Sequence, residues 1–217
     1  MGPATEAWLA SAVILGALWA AKAWAAALPG GTIVMTAAVG LQLYGPLLRV
    51  GKNGVTWESL GLTWAQWPRD LAALAVVAAL TFPPYVLGFH YWQTELLGRA
   101  WAPSLPSGFL WSFFSQTLVL ALAEEVFFRG YLQERFDAAQ PPRRRLLGAA
   151  VGPGLLWATL VFALAHFVGE WNPLRMAPFF PGLLFGLLRA RTGTIVAATA
   201  YHAACNALAD LMFASYS

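Results

Sequence analysis

The sequence predicts an all-α polytopic membrane protein, a bundle of about seven transmembrane helices with a polar site in its core. Three observations carry that expectation. Of 217 residues, 59% are hydrophobic and only 11% charged, and the mean hydropathy is +0.60; a soluble domain carries about 25% charged residues. Apolar runs long enough to span a bilayer recur along the whole length. Period-two alternation, the mark of an outer-membrane barrel, is absent.

The first helix is expected over residues 6–28, ending at Pro29-Gly30-Gly31. The preceding MGPATEA has no Lys or Arg, and the apolar run exceeds the ~7–15-residue core of a signal peptide, so it reads as a retained helix. A second helix is expected over 32–48. Residues 49–70 are more polar, yet Trp57, Leu60, Trp64 and Trp67 recur at helical spacing. They suggest either a short helix in the headgroup layer with a Trp stripe towards lipid, or a loop packed on the protein. A third helix follows over 71–92, with a kink at Pro83-Pro84. A fourth is expected over 109–137, and Gln140 to Arg145 forms a loop. Helices over 147–168, 176–189 and 194–214 complete the set, with Pro178 and Pro181 near the start of the sixth. No internal repeat or separate second domain is visible.

Net charge is +3. The basic residues cluster in short loops, where they set topology and do not imply nucleic acid. Arg49, Lys52, Arg69, Arg135, Arg143, Arg144, Arg145, Arg189 and Arg191 fall on one side, and only Arg99 and Arg175 on the other. The first side is therefore expected to be cytoplasmic, with the N-terminus inside and the C-terminus outside. Trp92, Trp101, Trp111 and Trp171 then fall near the outer ends, as an aromatic belt does. The single cysteine, Cys205, allows no intrachain disulfide or CxxC metal site and reads as a small packing residue.

Five polar residues interrupt these apolar runs: Glu124, Glu125, Arg129, His166 and His202. Each costs roughly 2.5–3.5 kcal/mol at a bilayer centre by insertion scales, so they mark a functional site by default. At 1.5 Å of rise per residue, Glu124 lies ~20 Å from the cytoplasmic end of its helix, His166 ~28 Å and His202 ~16 Å. A common site at mid-membrane or above is therefore possible. Glu124 and Glu125 point about 100° apart. Glu125 and Arg129, spaced i,i+4, suit an ion pair, which leaves Glu124 less directly paired and suited to general acid–base work. The competing reading of the three is a structural charge cluster. Phe162 and His166 share a face, as do His202 and Asn206. Two convergent donors such as the latter pair suit an oxyanion; interhelical hydrogen bonding is the plainer reading.

The three elements in order resemble a known family. EEVFFR matches EExxxR, FALAH matches FxxxH and HAACN matches HxxxN. This pattern is similar to the CPBP family of intramembrane proteases, also called the CAAX-protease or bacteriocin-processing (Abi) family, to which the Ras-converting CAAX endopeptidase is related. The resemblance covers about 109–214 and divides one integrated membrane domain into N-terminal helices with their interfacial loop, 1–107, and a catalytic core, 108–217. It implies that Glu124 and His166 activate a water, that His202 and Asn206 hold the oxyanion, and that Glu125, Arg129 and Phe162 support the site. It implies no cofactor. The substrate would be a membrane-tethered protein or peptide in the lipid bilayer, with no nucleic acid involved and no oligomeric state specified. Relatives of this kind process prenylated CAAX tails or bacteriocin leaders, or trim C-terminal sorting signals as myxosortase-like members do. The Ala, Arg and Trp usage favours a bacterial inner membrane and the sorting role.

A zinc site using Glu124, His166 and His202 as ligands is the nearest alternative, although no HExxH motif occurs. A proton-coupled transporter would call for inverted repeats, which are not seen. An idle membrane scaffold or immunity protein is a third reading, against which the intact motifs argue. Rhomboid-like GxS and aspartyl GxGD elements are missing.

Overall fold

The computed structural model describes residues 1–25 and 31–216. Among these, seven long helices account for most of the chain: α1 (Pro3–Ala25), α2 (Gly31–Leu47), α3 (Trp67–Leu96), α4 (Phe109–Ala139), α5 (Pro153–Phe167), α6 (Phe179–Thr192) and α7 (Val196–Ala214). By length and composition α1, α3 and α4 can each cross a membrane. The expected end of the first helix near Leu28 and the Pro29-Gly30 turn lie outside the described residues.

The helix starts have local causes. Proline opens both α3 and α5, where its missing N–H costs nothing. At the end of α6, Gly193 takes φ +81° and donates its N–H to the Arg189 carbonyl, a left-handed stop that suits glycine. Proline residues 83 and 84 lie inside α3, which remains helical through them.

One open reading is decided and two helix starts are corrected. Residues 49–66 form no interfacial helix; turns run through them, with Gly51, Gly54 and Gly61 at positive φ. The segment is instead the packed loop. Val55 and Leu60 are fully buried, while Trp57, Trp64 and Trp67 are exposed. It is clipped to the α6–α7 turn, since Ile195 N donates to Gly61 O at 3.1 Å and Arg189 Nη2 to Ser59 O at 2.8 Å. The fifth helix does not begin at 147. Residues 144–151 form an antiparallel hairpin, β1 (Arg144–Leu146) against β2 (Ala149–Val151). Its two-residue turn, Leu147-Gly148, has both φ values positive, as a tight hairpin needs. The sixth helix also starts later than 176, behind a short 3₁₀ turn at Pro173–Met176.

Helix α4 runs through the middle of the bundle. From Ala123 to Gln133 every residue is buried, polar ones included. It packs against α1 and α2 on one side and α5, α6 and α7 on the others. Two stretches of α4, Gln116–Ala121 and Val126–Leu132, are wound as π-helix around a single α-helical turn, Leu122–Glu125. Wide turns of this kind recur at functional sites because they reorient the side chains between them. Here they flank the two adjacent glutamates.

Candidate active site

Glu124, Glu125 and Arg129 of α4 meet His202 of α7, with Phe162 of α5 and Phe185 of α6 forming walls around them. Glu125 is wholly buried and Arg129 is 1% exposed. Arg129 Nη1 lies 3.1 Å from Glu125 Oε1, the expected ion pair, and its Nη2 donates to the Gly182 carbonyl of α6 at 3.1 Å. The guanidinium carbon sits 4.2 Å from the Phe162 ring centre and 5.0 Å from that of Phe185. An arginine so enclosed keeps its charge because a carboxylate, a carbonyl and two ring faces replace water.

The same Glu125 oxygen reaches across to α7, where His202 Nδ1 lies at 2.9 Å. A carboxylate paired with Arg129 can only accept, so Nδ1 carries the proton and donates. That contact aims His202 Nε2 towards Glu124, whose Oε2 lies 3.7 Å away, beyond hydrogen-bond range. Glu124 is 8% exposed, and its Oε2 has no hydrogen-bond partner; Glu125 Oε2 and Arg129 Nε are also unpartnered. The adjacent acids therefore occupy different settings: Glu125 is spent on Arg129 and His202, and Glu124 is held near them but free.

His166 is half-buried near the end of α5, and its Nδ1 lies 2.9 Å from the Phe162 carbonyl. A carbonyl accepts, so the proton sits on Nδ1 and the Nε2 lone pair is left for another partner. The Phe162 ring stands between the two histidines, 4.7 Å from His166 and 5.8 Å from His202, centre to centre. Phe162 thus forms a wall shared by both imidazoles and the guanidinium. Asn206 is half-buried one turn after His202 on α7. Among the described residues no group of three or more His, Cys, Asp or Glu side chains is placed to hold a metal ion.

Phe185 is a site residue that the sequence analysis did not single out. Its ring stacks on His202 at 4.6 Å and 17°, fixing the imidazole plane. It lies in an apolar run, FFPGLLFGLL, whose composition gives no sign of contact with charge. Gly182 was missed for the same reason: its contribution is a carbonyl. A Cβ there would meet Arg129 Nη2 at 3.0 Å and the Phe162 ring at 3.1 Å.

A second charged cluster is structural. Glu6, 3% exposed, is bonded by Arg49 and accepts from Tyr131 Oη at 2.9 Å, with Arg135 Nη1 at 3.9 Å. It ties α1 to the loop after α2 and to α4. Farther along, Lys22 of α1 approaches Glu170 at 3.5 Å and donates to the His166 carbonyl at 2.9 Å, so α1 also steadies the end of α5.

Neither a curated protein nor a solved structure matches the chain. A family model does match: residues 106–208 fit the family described as Type II CAAX prenyl endopeptidase Rce1-like. The matched segment, just under half of the chain, contains Glu124, Glu125, Arg129, Phe162, His166, His202 and Asn206, and over that segment the chain is similar to the family.

Proposed function

We propose that this protein is an intramembrane endopeptidase of the glutamic type, hydrolysing a peptide bond of a membrane-tethered polypeptide. The observation that carries the reading is the buried Glu124 carboxylate, whose Oε2 has no hydrogen-bond partner, beside a Glu125 that is bonded to both Arg129 and His202. A carboxylate is expensive to bury without a partner, and such an arrangement persists where the group has chemical work to do.

In the proposed reaction Glu124 takes a proton from water, with the His166 Nε2 lone pair helping to orient it. The hydroxide attacks the peptide carbonyl, whose oxygen becomes the oxyanion. His202 Nε2 and the Asn206 amide donate to that oxygen. Because His202 Nδ1 is already committed to Glu125, His202 can serve as a donor through Nε2 only as the imidazolium. Glu124 then passes its proton to the leaving amine as the C–N bond breaks, which restores the carboxylate.

The remaining expectations extend this reading. The exposed Trp92, Trp101, Trp111 and Trp171 suit an aromatic belt, and the arginines near the end of α4, at 143–145 and at the end of α6 suit the cytoplasmic face of a bacterial inner membrane. The core of 108–217 would carry the chemistry and 1–107 its support. A C-terminal sorting or anchor segment is the favoured substrate. The test is to map protein termini in cells carrying wild type or Glu124→Ala. At least one envelope protein should keep an uncut terminal segment in the variant, and identical termini in both would reject proteolysis. Zinc dependence is tested on purified protein: activity that vanishes with a chelator and returns with zinc would overturn the metal-free mechanism.

A further inference from the structure

A large groove lies away from the catalytic cluster. A groove of about 1310 Å³ runs along the outer side of α5 and α6, walled by Leu155, Leu156 and Leu160 of α5 and Leu183, Leu184 and Leu187 of α6. That is larger than the ~300–1,000 Å³ of a drug-sized ligand site. Its shape follows from how the two helices meet. On their buried side Gly182 and Gly186 let α6 close on Thr159 and Leu155, where an added Cβ would come within 3.1 and 3.0 Å. On the other side the leucines and Trp157 stand apart, and the gap between them is the groove.

One end of this apolar slot is not apolar. Arg143 and Arg144 line its mouth, together with Gln140. Both arginines are exposed. Neither side chain makes a hydrogen bond or ion pair among the described residues, unlike that of Arg191, which is bonded to the hairpin turn at Leu147 O. The β1–β2 hairpin, pinned by that contact, holds the arginines over the slot. In a bilayer, leucines alone attract no particular occupant, because lipid tails are equally apolar. A long apolar slot ending in two unpaired guanidinium groups selects for a molecule with an anionic head on an acyl tail.

We propose that the α5–α6 groove is a binding site for an anionic phospholipid, with its phosphate between Arg143 and Arg144 and an acyl chain along the leucines. The proposal does not depend on the proteolytic reading, since none of these residues touches the catalytic cluster. Anionic lipid is concentrated where juxtamembrane basic residues gather, and guanidinium binds phosphate in a fork.

Native mass spectrometry of the full chain in detergent, titrated with dioleoyl phosphatidylglycerol or dioleoyl phosphatidylcholine, tests this directly. Two basic contacts predict a preference of roughly 30-fold for the anionic lipid. The R143Q/R144Q double variant, altered only on an exposed hairpin, should bring that preference close to one. Leu183→Trp, which fills the slot, should weaken retention of phosphatidylglycerol without touching the arginines. Excess glycerol phosphate, which has the head but no tail, should fail to compete. Equal retention of both lipids by wild type, or an unchanged preference in R143Q/R144Q, would overturn the proposal. So would full competition by glycerol phosphate, which would make the site one for a soluble anion. Retention unaffected by Leu183→Trp would overturn it as well, because the lipid would then be adsorbed on the loop alone.

Discussion

Replacing Arg129 by methionine isolates the energetics of the buried network. The side chain is 1% exposed and sits between Glu125, the Gly182 carbonyl and the rings of Phe162 and Phe185. Methionine fills most of the volume and keeps contact with both rings, so packing loss is small. The Gly182 carbonyl still accepts from Thr159 Oγ1 at 3.3 Å. The main cost is electrostatic, because Glu125 would remain at zero exposure without the guanidinium that balances it. Removing one partner of a buried ion pair costs ~3–5 kcal/mol in soluble proteins. A membrane reference state lowers such costs, since unfolded segments also find partners, so we expect about 3 kcal/mol. The assay is equilibrium unfolding in mixed micelles followed by circular dichroism. Adding Glu125→Gln to Arg129→Met should recover at least ~1 kcal/mol, because the stranded charge is gone while the glutamine oxygen still accepts from His202. A loss below ~1 kcal/mol, or no recovery in the double variant, would refute the claim that this pair is held as buried charge.

Other outcomes follow from single contacts. At Gly130 an added Cβ would sit 2.7 Å from the Leu60 carbonyl, so Gly130→Ala should force the 49–66 loop away from α4 and cost ~1–3 kcal/mol by thermal unfolding; wild-type stability would show that the loop does not press there. Phe185→Leu should lower kcat more than KM, since it frees the His202 ring without opening the substrate path, and a change confined to KM would contradict that role. Outside the helices, the Arg175 side chain holds the Glu170 carboxyl below its ordinary value of 4.5 by hydrogen bonding, with Lys22 adding to the effect. A depressed acid stabilises the fold above its unfolded value and loses that contribution as pH falls below it. Glu170 is over a third exposed, so the gain is small and salt-screened. Arg175→Gln should raise the Glu170 titration midpoint by NMR, and an unmoved midpoint would remove Arg175 as the cause.

The motif helices were legible because membrane-length apolar runs make a single polar residue conspicuous. The spacing of Glu125 and Arg129 foretold their ion pair. What it did not show was His202 on the same carboxylate, a contact across seventy-seven positions of sequence. The Glu6–Arg135 cluster was hidden likewise, since Arg135 reads as a loop charge until α1 is packed beside it. Local patterns misled in two places. The Trp spacing of 57–67 mimicked an amphipathic helix, but glycines at positive φ turned the chain. The apolar run after Leu146 looked like helix, yet Gly148 supplied a hairpin turn. The π-helical stretches beside Glu124 leave no signature in composition.

The central claim is that Glu124, and not its neighbour, is the base. It is tested most directly by reconstituting wild type and Glu124→Gln in vesicles with the substrate identified by terminus mapping, and measuring single-turnover cleavage. Glutamine keeps the shape and removes the proton acceptor, so the rate should fall by at least ~100-fold, the lower range for general acid–base catalysis. Full cleavage by Glu124→Gln would contradict the account.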